Sequence, residues 1–554
     1  MRRPTDSTLW TFLKSRSEVS LPRVMAIAAL SGLANALLIA VINSAAHEAS
    51  ADKPDVQKFL LFVVSLVTYI VTQRYILRVS QIEIEQIIEK IRLGLSDKIR
   101  RSDLHSIETL GRSQLYASVN TDTLALSRAV QPLMIACQSV LLVIFSLGYI
   151  YILEPMAFVL TLAICGIGIA IHFKNKKQLV FELEQATSKE NELFDVLTHL
   201  LDGFKEVKLS SARNRDLYAH LQEIAAQAAY YKTRTGIRYA DYYLFTQVMF
   251  QLLLAAMVFI LPQVSESLVQ PDQITSLTAA ILFIMGPLTV VVGAVPQLRT
   301  ATHAIDNVTR LDQALDIAQE LSRDPHNGDI VKPLDFETIE VRQGVFSHKD
   351  RDGRAMFTLG PLDCTIKRNE TTLVVGGNGS GKSTFFKVLT GLYYLDTGAI
   401  LVDGVDIKSL GYRRYRELFS AIFSDYHLFT RLYGLSNIDD AKVDELLRQM
   451  QLEHKTSWRD GRFENQDLST GQKKRLALIV SLLEDKPVCI FDEWAADQDP
   501  QFRQFFYDTL LPELKAQGKT VIAASHDDRF FSVGDRVLKM EMGRFVPSAD
   551  RESK

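Results

Sequence analysis

The chain has 554 residues, a formal net charge of −3 and 23% charged residues. That length calls for more than one domain, and the near-neutral balance leaves no electrostatic footprint for a nucleic-acid partner. Cys137, Cys165, Cys364 and Cys489 are scattered without metal-ligand spacing, so neither a zinc site nor a disulfide framework is implied.

Residues 1–20 are basic and hold Leu9, Trp10, Phe12 and Leu13. They read as an amphipathic segment at a membrane surface, or else as a plain basic tail. Apolar runs follow at about 24–45, 59–75, 133–153, 156–173, 242–261 and 277–295, with Arg74 their one Asp, Glu, Lys or Arg. Each is close to the roughly 20 residues that span a bilayer. The basic start leads into a full-length run without a small-residue cleavage site, so no cleavable signal is expected.

The connections are unequal. Residues 74–130 carry nine Lys plus Arg and residues 172–241 carry eleven, whereas 263–276 carry none. Positive charge stays on the cytoplasmic side, which predicts both termini and both long segments there. Ile84, Ile87, Ile88, Ile91, Leu95 and Ile99 recur at helical spacing, so the membrane helices should continue into the cytoplasm. They should turn back near Leu110-Gly111-Arg112 and Asp202-Gly203-Phe204, natural contact points for a cytoplasmic domain. Asn35, Asn43, Gln138, Gln247 and Gln251 inside the runs either contact a polar cargo or bond between helices. Gly286-Pro287 and Pro296 predict a bend in the last span. With no ionisable residue central to a run, a proton relay is not expected.

From about residue 336 the pattern changes to short β-like runs alternating with helices. Gly376-Gly377-Asn378-Gly379-Ser380-Gly381-Lys382-Ser383-Thr384 fits G-x-x-x-x-G-K-[ST], between a strand-like run (371–375) and a helix-like one (385–392). Backbone N–H groups of such a loop close around phosphates. Lys382 would reach the β- and γ-phosphates of ATP, and the Ser383 hydroxyl would hold Mg²⁺. Val488 to Phe491 is an apolar run ending in Asp492 and Glu493. Asp492 is placed to hold Mg²⁺ and Glu493 to activate the attacking water. Between them Leu468-Ser469-Thr470-Gly471-Gln472 opens a helix suited to a γ-phosphate, and His526 follows a further strand as another γ-phosphate partner.

In this order the motifs resemble the ATP-binding cassette (ABC) transporter family over essentially the whole chain. Leu468–Gln472 is similar to the family's signature, with Thr470 where glycine is usual. Asp499 matches its D-loop aspartate and His526 its switch histidine. The resemblance implies that two cassettes pair head to tail, sandwiching ATP between one chain's phosphate loop and the other's Ser469 and Gly471, hence a homodimer. Two positions depart from the pattern: Ser424 occupies the slot of a Mg²⁺-binding glutamine, and His348 that of the adenine-stacking tyrosine. Trp494, Ala495 and Gln498 replace a proline, a threonine or serine, and a leucine. With the Ser424 loop, they resemble the cyclic-peptide and siderophore-peptide exporter branch, which implies a bacterial inner-membrane exporter of such peptides, surrounded by lipid. A lipid flippase of the same architecture, and a membrane regulator that binds ATP without transport, are the competing readings.

The expected fold is an all-α membrane domain of six helices with long cytoplasmic extensions, then an α/β phosphate-loop ATPase domain. The expected boundaries are 1–20 for the amphipathic segment, 21–310 for the membrane domain, 311–335 for a linker, 336–545 for the cassette and 546–554 for a polar tail.

Overall fold

The structure, a computed structural model, describes residues 21–48, 56–174, 176–264, 271–321, 334–349, 354–435 and 438–547. The amphipathic segment 1–20, most of the linker and the tail beyond 547 lie outside these residues. The chain divides into two compact units, Met1–Gly94 with Tyr116–Leu311, and Leu95–Leu115 with Asp312–Lys554.

The first unit is helical. Its elements are α1 (Leu21–Glu48) and most of α2 (Val56–Arg101); the short α3 (Leu104–Leu110) belongs to the second unit. Then come α4 (Thr123–Leu153), α5 (Pro155–Lys174), α6 (Lys176–Asp202), α7 (Phe204–Leu209), α8 (Ser211–Ala255) and α9 (Pro271–Leu321). Among the described residues, five helices are long and apolar enough to cross a membrane; the fourth expected run, 156–173, falls on α5, a helix of 20 residues. At about 1.5 Å per residue, a helix of 46 residues such as α2 is about 69 Å long, twice the hydrocarbon thickness of roughly 30 Å. The cytoplasmic continuation of α2 has a physical cause: Ile84, Ile87, Ile88, Ile91 and Leu95 are all buried on one face. In the apolar half, Leu60, Val64, Val67 and Val71 point outward, as lipid-facing residues do.

Two of the polar residues inside the spans bond between helices. Gln138 Nε2 donates to Gln73 Oε1 at 2.9 Å, and Asn43 Nδ2 donates to the Tyr149 hydroxyl at 3.1 Å and the Ser276 carbonyl at 3.3 Å. Gln247 reaches Tyr243 on its own helix. The α6 and α8 extensions are tied by Glu182, 3% exposed, whose carboxylate accepts from Arg238 and pairs with Arg234 at 3.1 Å. Pro287 and Pro296 both lie inside α9, which continues through them.

The second unit is α/β. An antiparallel sheet runs in the order β2 (Ala355–Lys367), β1 (Thr338–Lys349), β4 (Thr397–Val402), β5 (Val405–Asp406). A six-stranded sheet runs β12 (Arg544–Val546), β11 (Arg536–Glu541), β3 (Thr371–Val375), β10 (Thr520–Ser525), β9 (Val488–Phe491), β6 (Phe419–Ile422). All neighbours are parallel except the β11–β12 hairpin. Strands β3, β9 and β10 are buried along their whole length, which is why they read as continuous apolar runs rather than alternating ones. α10 (Lys382–Leu389) follows β3, and α11 (Asp440–Gln449), the small hairpin β7–β8 (Trp458–Arg459, Arg462–Phe463) and α12 (Thr470–Glu484) lie between β6 and β9.

Candidate active site

The parallel order β3-β10-β9 brings three loops to one end of the sheet. The loop after β3 is Gly376–Gly381, that after β9 begins with Asp492 and Glu493, and that after β10 begins with His526. Ligands bind at this carboxyl edge of parallel sheets because helix N-termini and loop amides converge there. Gly381 has a left-handed backbone, φ 106°, which only glycine adopts cheaply, and it starts α10.

Lys382 is 4% exposed. Its Nζ donates to the carbonyls of Gly376 (3.0 Å) and Gly377 (3.1 Å) and pairs with Glu493 Oε1 at 3.2 Å. The same Glu493 oxygen lies 2.7 Å from His526 Nε2. Burial pushes the Glu493 carboxyl up, but the bonds from His526 and Lys382 outweigh it and hold the group below the usual range. An ionised carboxylate held by a histidine and a lysine suits a base beside a phosphate.

Asp492 is 1% exposed, and burial pushes its carboxyl up, partly offset by the Ser383 hydroxyl and by Ser424. Its Oδ2 takes the Ser424 N–H at 3.4 Å, while Oδ1 is buried without a partner among the described residues. A buried oxygen with no donor, flanked by two hydroxyls, fits the hard-oxygen ligand set of a magnesium ion. Ser383, Asp492 and Ser424 are therefore brought together.

Asn378, Gly379, Ser380, Gly381, Lys382, Ser383, Thr384, His348 and Glu493 line one cavity of about 930 Å³. His348 meets Phe346, Tyr393 and Phe357 there, with ring centroids at 4.9, 5.5 and 6.5 Å. Burial, and after it the nearby His105, holds its imidazole below the ordinary value.

The motif reading did not identify His105, Glu108 and Thr109, which line the same cavity from α3. Glu108 accepts from Lys387 Nζ at 3.0 Å and from the Tyr393 hydroxyl, and His105 lies 5.6 Å from His348. The available signal was local: Asp103 caps α3 by accepting from the Ser106 N–H at 2.8 Å, and Gly111 ends it at a positive φ of 79°. Such caps mark a separate short helix at the turn.

Ser469, Gly471, Gln472 and Asp499 do not line this cavity. Ser469 and Gln472 form a reciprocal capping box at the start of α12, so the Gln472 side chain is engaged with its own helix. The box leaves the first-turn amides of Thr470 and Gly471 available for an anion. Asp499 pairs with Arg475 at 2.5 Å and caps the next helix through the Phe502 N–H.

Phosphate loop, acid pair and histidine on one parallel sheet define an ATP-binding phosphate-loop domain, here in one chain with helices apolar enough to span a membrane. The family model described as "ABC transporter" matches residues 359–496. ATP-binding protein SyrD of Pseudomonas syringae pv. syringae is 32% identical over 535 residues, 93% of this chain and 92% of that one. Subtilin transport ATP-binding protein SpaT of Bacillus subtilis is 27% identical over 270 residues, 45% of this chain and 43% of that one. A solved bacterial Atm1-family ABC exporter with ATP bound shares the fold, with TM-score 0.74 at 16% identity over 95% of this chain and 94% of that one. The chain belongs to the ABC transporter family. It is a multi-pass membrane exporter that couples ATP hydrolysis to transport.

Proposed function

We propose that this exporter moves a peptide-type substrate, cyclic, modified or a siderophore precursor, out of the cytoplasm as a homodimer in a bacterial inner membrane. Both termini lie in the cytoplasm and six spans come from each copy. The observation that carries the homodimer is the separation of the site: Lys382 and Glu493 share one cavity, with His526 bonded to Glu493, and Ser469 and Gly471 lie outside it. A second copy would bring its α12 amides to the phosphates. The turn at Gly203 agrees with this, since Leu201, Phe204 and Leu209 are 72%, 50% and 89% exposed. An apolar face of that kind needs a cover, and the cassette of the second copy supplies one. The peptide class rests on the resemblance of the Ser424 loop and the Trp494–Asp499 run to the peptide-exporter branch, and on the relative named for subtilin transport.

In this reading the phosphate-loop amides and Lys382 hold the β- and γ-phosphates of ATP. Ser383, Asp492 and Ser424 would hold a magnesium ion, which would supply charge neutralisation at those phosphates. His526 donates to a γ-phosphate oxygen and keeps the Glu493 carboxylate aimed. Glu493 orients the attacking water and takes its proton. His348 stacks on the adenine. α3, with Glu108 clamped by Lys387 and Tyr393, passes closure of the cassettes to the membrane helices. ATP drives this only to the extent that it binds the closed state more tightly than the open one.

The test is transport by the purified protein in sealed vesicles. ATP-dependent accumulation of a cyclic or modified peptide, abolished by Glu493→Gln, supports the proposal. Stimulation by lipid and not by peptide favours a flippase. Equal, negligible hydrolysis in wild type and Glu493→Gln favours a regulator.

A further inference from the structure

Trp494 and Gln498 stand where other family members carry proline and leucine, and both are buried, 1% and 4% exposed. Both side chains are hydrogen-bonded, and each of those side-chain bonds leads to the helix that carries the signature. Trp494 Nε1 donates to the Lys474 carbonyl at 2.8 Å while its ring stacks on Phe506, centroids 4.6 Å apart. Lys474 Nζ returns the contact, donating to the Glu493 carbonyl at 2.9 Å and pairing with Asp497 at 2.8 Å. Gln498 Nε2 donates to the Gly471 carbonyl at 3.1 Å, and its Oε1 accepts from Arg475 Nε at 2.9 Å. Arg475 also lies 3.7 Å over the Phe502 ring and pairs with Asp499. The approach is so close that a Cβ on Gly471 would lie 2.8 Å from the Asp497 carbonyl oxygen.

One end of this strap is unusual. Glu493 has a left-handed backbone, φ 51° and ψ 34°, a conformation that is strained for a non-glycine residue. The Lys474 ammonium on its carbonyl, itself buried beneath the Trp494 contact, offsets that strain. The backbone that aims the Glu493 carboxylate thus depends on where α12 sits.

We infer that Trp494 and Gln498 are positioning residues that strap the signature helix to the Glu493 backbone. Phosphate captured by Ser469 and Gly471 on one face of the strap then sets the aim of the base on the other. The inference rests on the homodimer reading above, because in that reading the two faces serve different ATP molecules. The strap would make the two sites fire in concert.

The experiment uses the full-length protein in lipid vesicles. Trp494→Phe keeps the stacked ring and removes the indole donor. Gln498→Leu keeps the volume and removes both hydrogen-bonding ends. ATP hydrolysis against ATP concentration gives kcat, KM and the Hill coefficient; ATP binding is measured separately in the Glu493→Gln background, with unfolding midpoints alongside. The wild-type Hill coefficient should exceed 1 and fall to about 1 in both variants, two sites setting its ceiling. kcat should fall about tenfold, the effect of losing a buried hydrogen bond from an aimed group. Affinity for ATP should be unchanged and the unfolding midpoint lowered by only a few degrees, with kcat already reduced well below it, and Gln498→Glu, which keeps the acceptor for Arg475, should recover part of kcat. Unchanged kcat and Hill coefficient, or losses that only track the unfolding midpoint, would overturn the strap. Glu493→Gln protein that stays monomeric with Mg-ATP would overturn the homodimer reading and the strap with it. Dimerisation with a variant-insensitive Hill coefficient would overturn the strap alone.

Discussion

Glu108 and Lys387 stand 279 positions apart in the chain, and their side chains meet at 3.0 Å. Glu108 comes from the turn between two membrane-spanning helices; Lys387 comes from the helix that opens at the phosphate loop. Their contact joins the stretch that binds ATP to the stretch that leads to the bilayer.

Glu108→Ala should therefore uncouple rather than unfold. The carboxylate is 37% exposed, so solvent screens the pair and its contribution to stability is small. The lost charge-assisted bonds to Lys387 and Tyr393 should lower substrate-stimulated hydrolysis by roughly threefold to tenfold, with basal hydrolysis less affected. Hydrolysis with and without transported substrate, in vesicles, checks this.

Ser424 is the shorter-armed partner of Asp492. Removing its hydroxyl in Ser424→Ala should raise the magnesium concentration for half-maximal hydrolysis by roughly tenfold, the lower end for a weakened metal-site partner. Ser424→Gln, which restores a longer arm, should raise it less or lower it. Titration of magnesium into metal-stripped protein at fixed ATP reads both.

His348 carries a pH dependence with a fixed sign. Burial first, and the charge of His105 second, depress its imidazole, with Glu108 opposing and Lys387 reinforcing that shift. A depressed folded value means the folded state resists the proton. The stabilisation is whole above the unfolded imidazole value of about 6.5, and it is lost as pH falls from there toward the lower folded value. Between about pH 7.5 and 5.5, the unfolding midpoint of the wild type should drop more than that of His348→Tyr. Thermal unfolding across that range settles it.

The cysteines give a packing test. Burial pushes Cys364 up to about 12 and Cys489 up to about 11, so neither forms thiolate at neutral pH. Both should resist iodoacetamide in the folded protein and react once the cassette unfolds, which peptide mass mapping resolves. Premature labelling of Cys489 would mean that β9 is not held in the sheet.

The cassette was legible because its chemistry is local. The phosphate loop, the Asp492–Glu493 pair and the Ser469 cap each lie within a few residues, and their flanking strands are buried on both faces and so announce themselves. What was not legible was contact between distant stretches. Nothing in the pattern around His105 shows that it meets His348, and nothing in Trp494 or Gln498 shows that their partners are Lys474 and Gly471. Gln138 and Asn43 could equally have faced a cargo until Gln73 and Tyr149 were seen to take their donors.

His348 in the tyrosine slot has a practical side. An imidazole flanked by His105 offers a metal-chelating group a foothold that a phenol ring does not. In the reading proposed above, nucleotide mimics carrying such a group on the base would meet His348 and His105, which would make the His348 end of the cavity, rather than its phosphate loop, the place to begin a selective inhibitor.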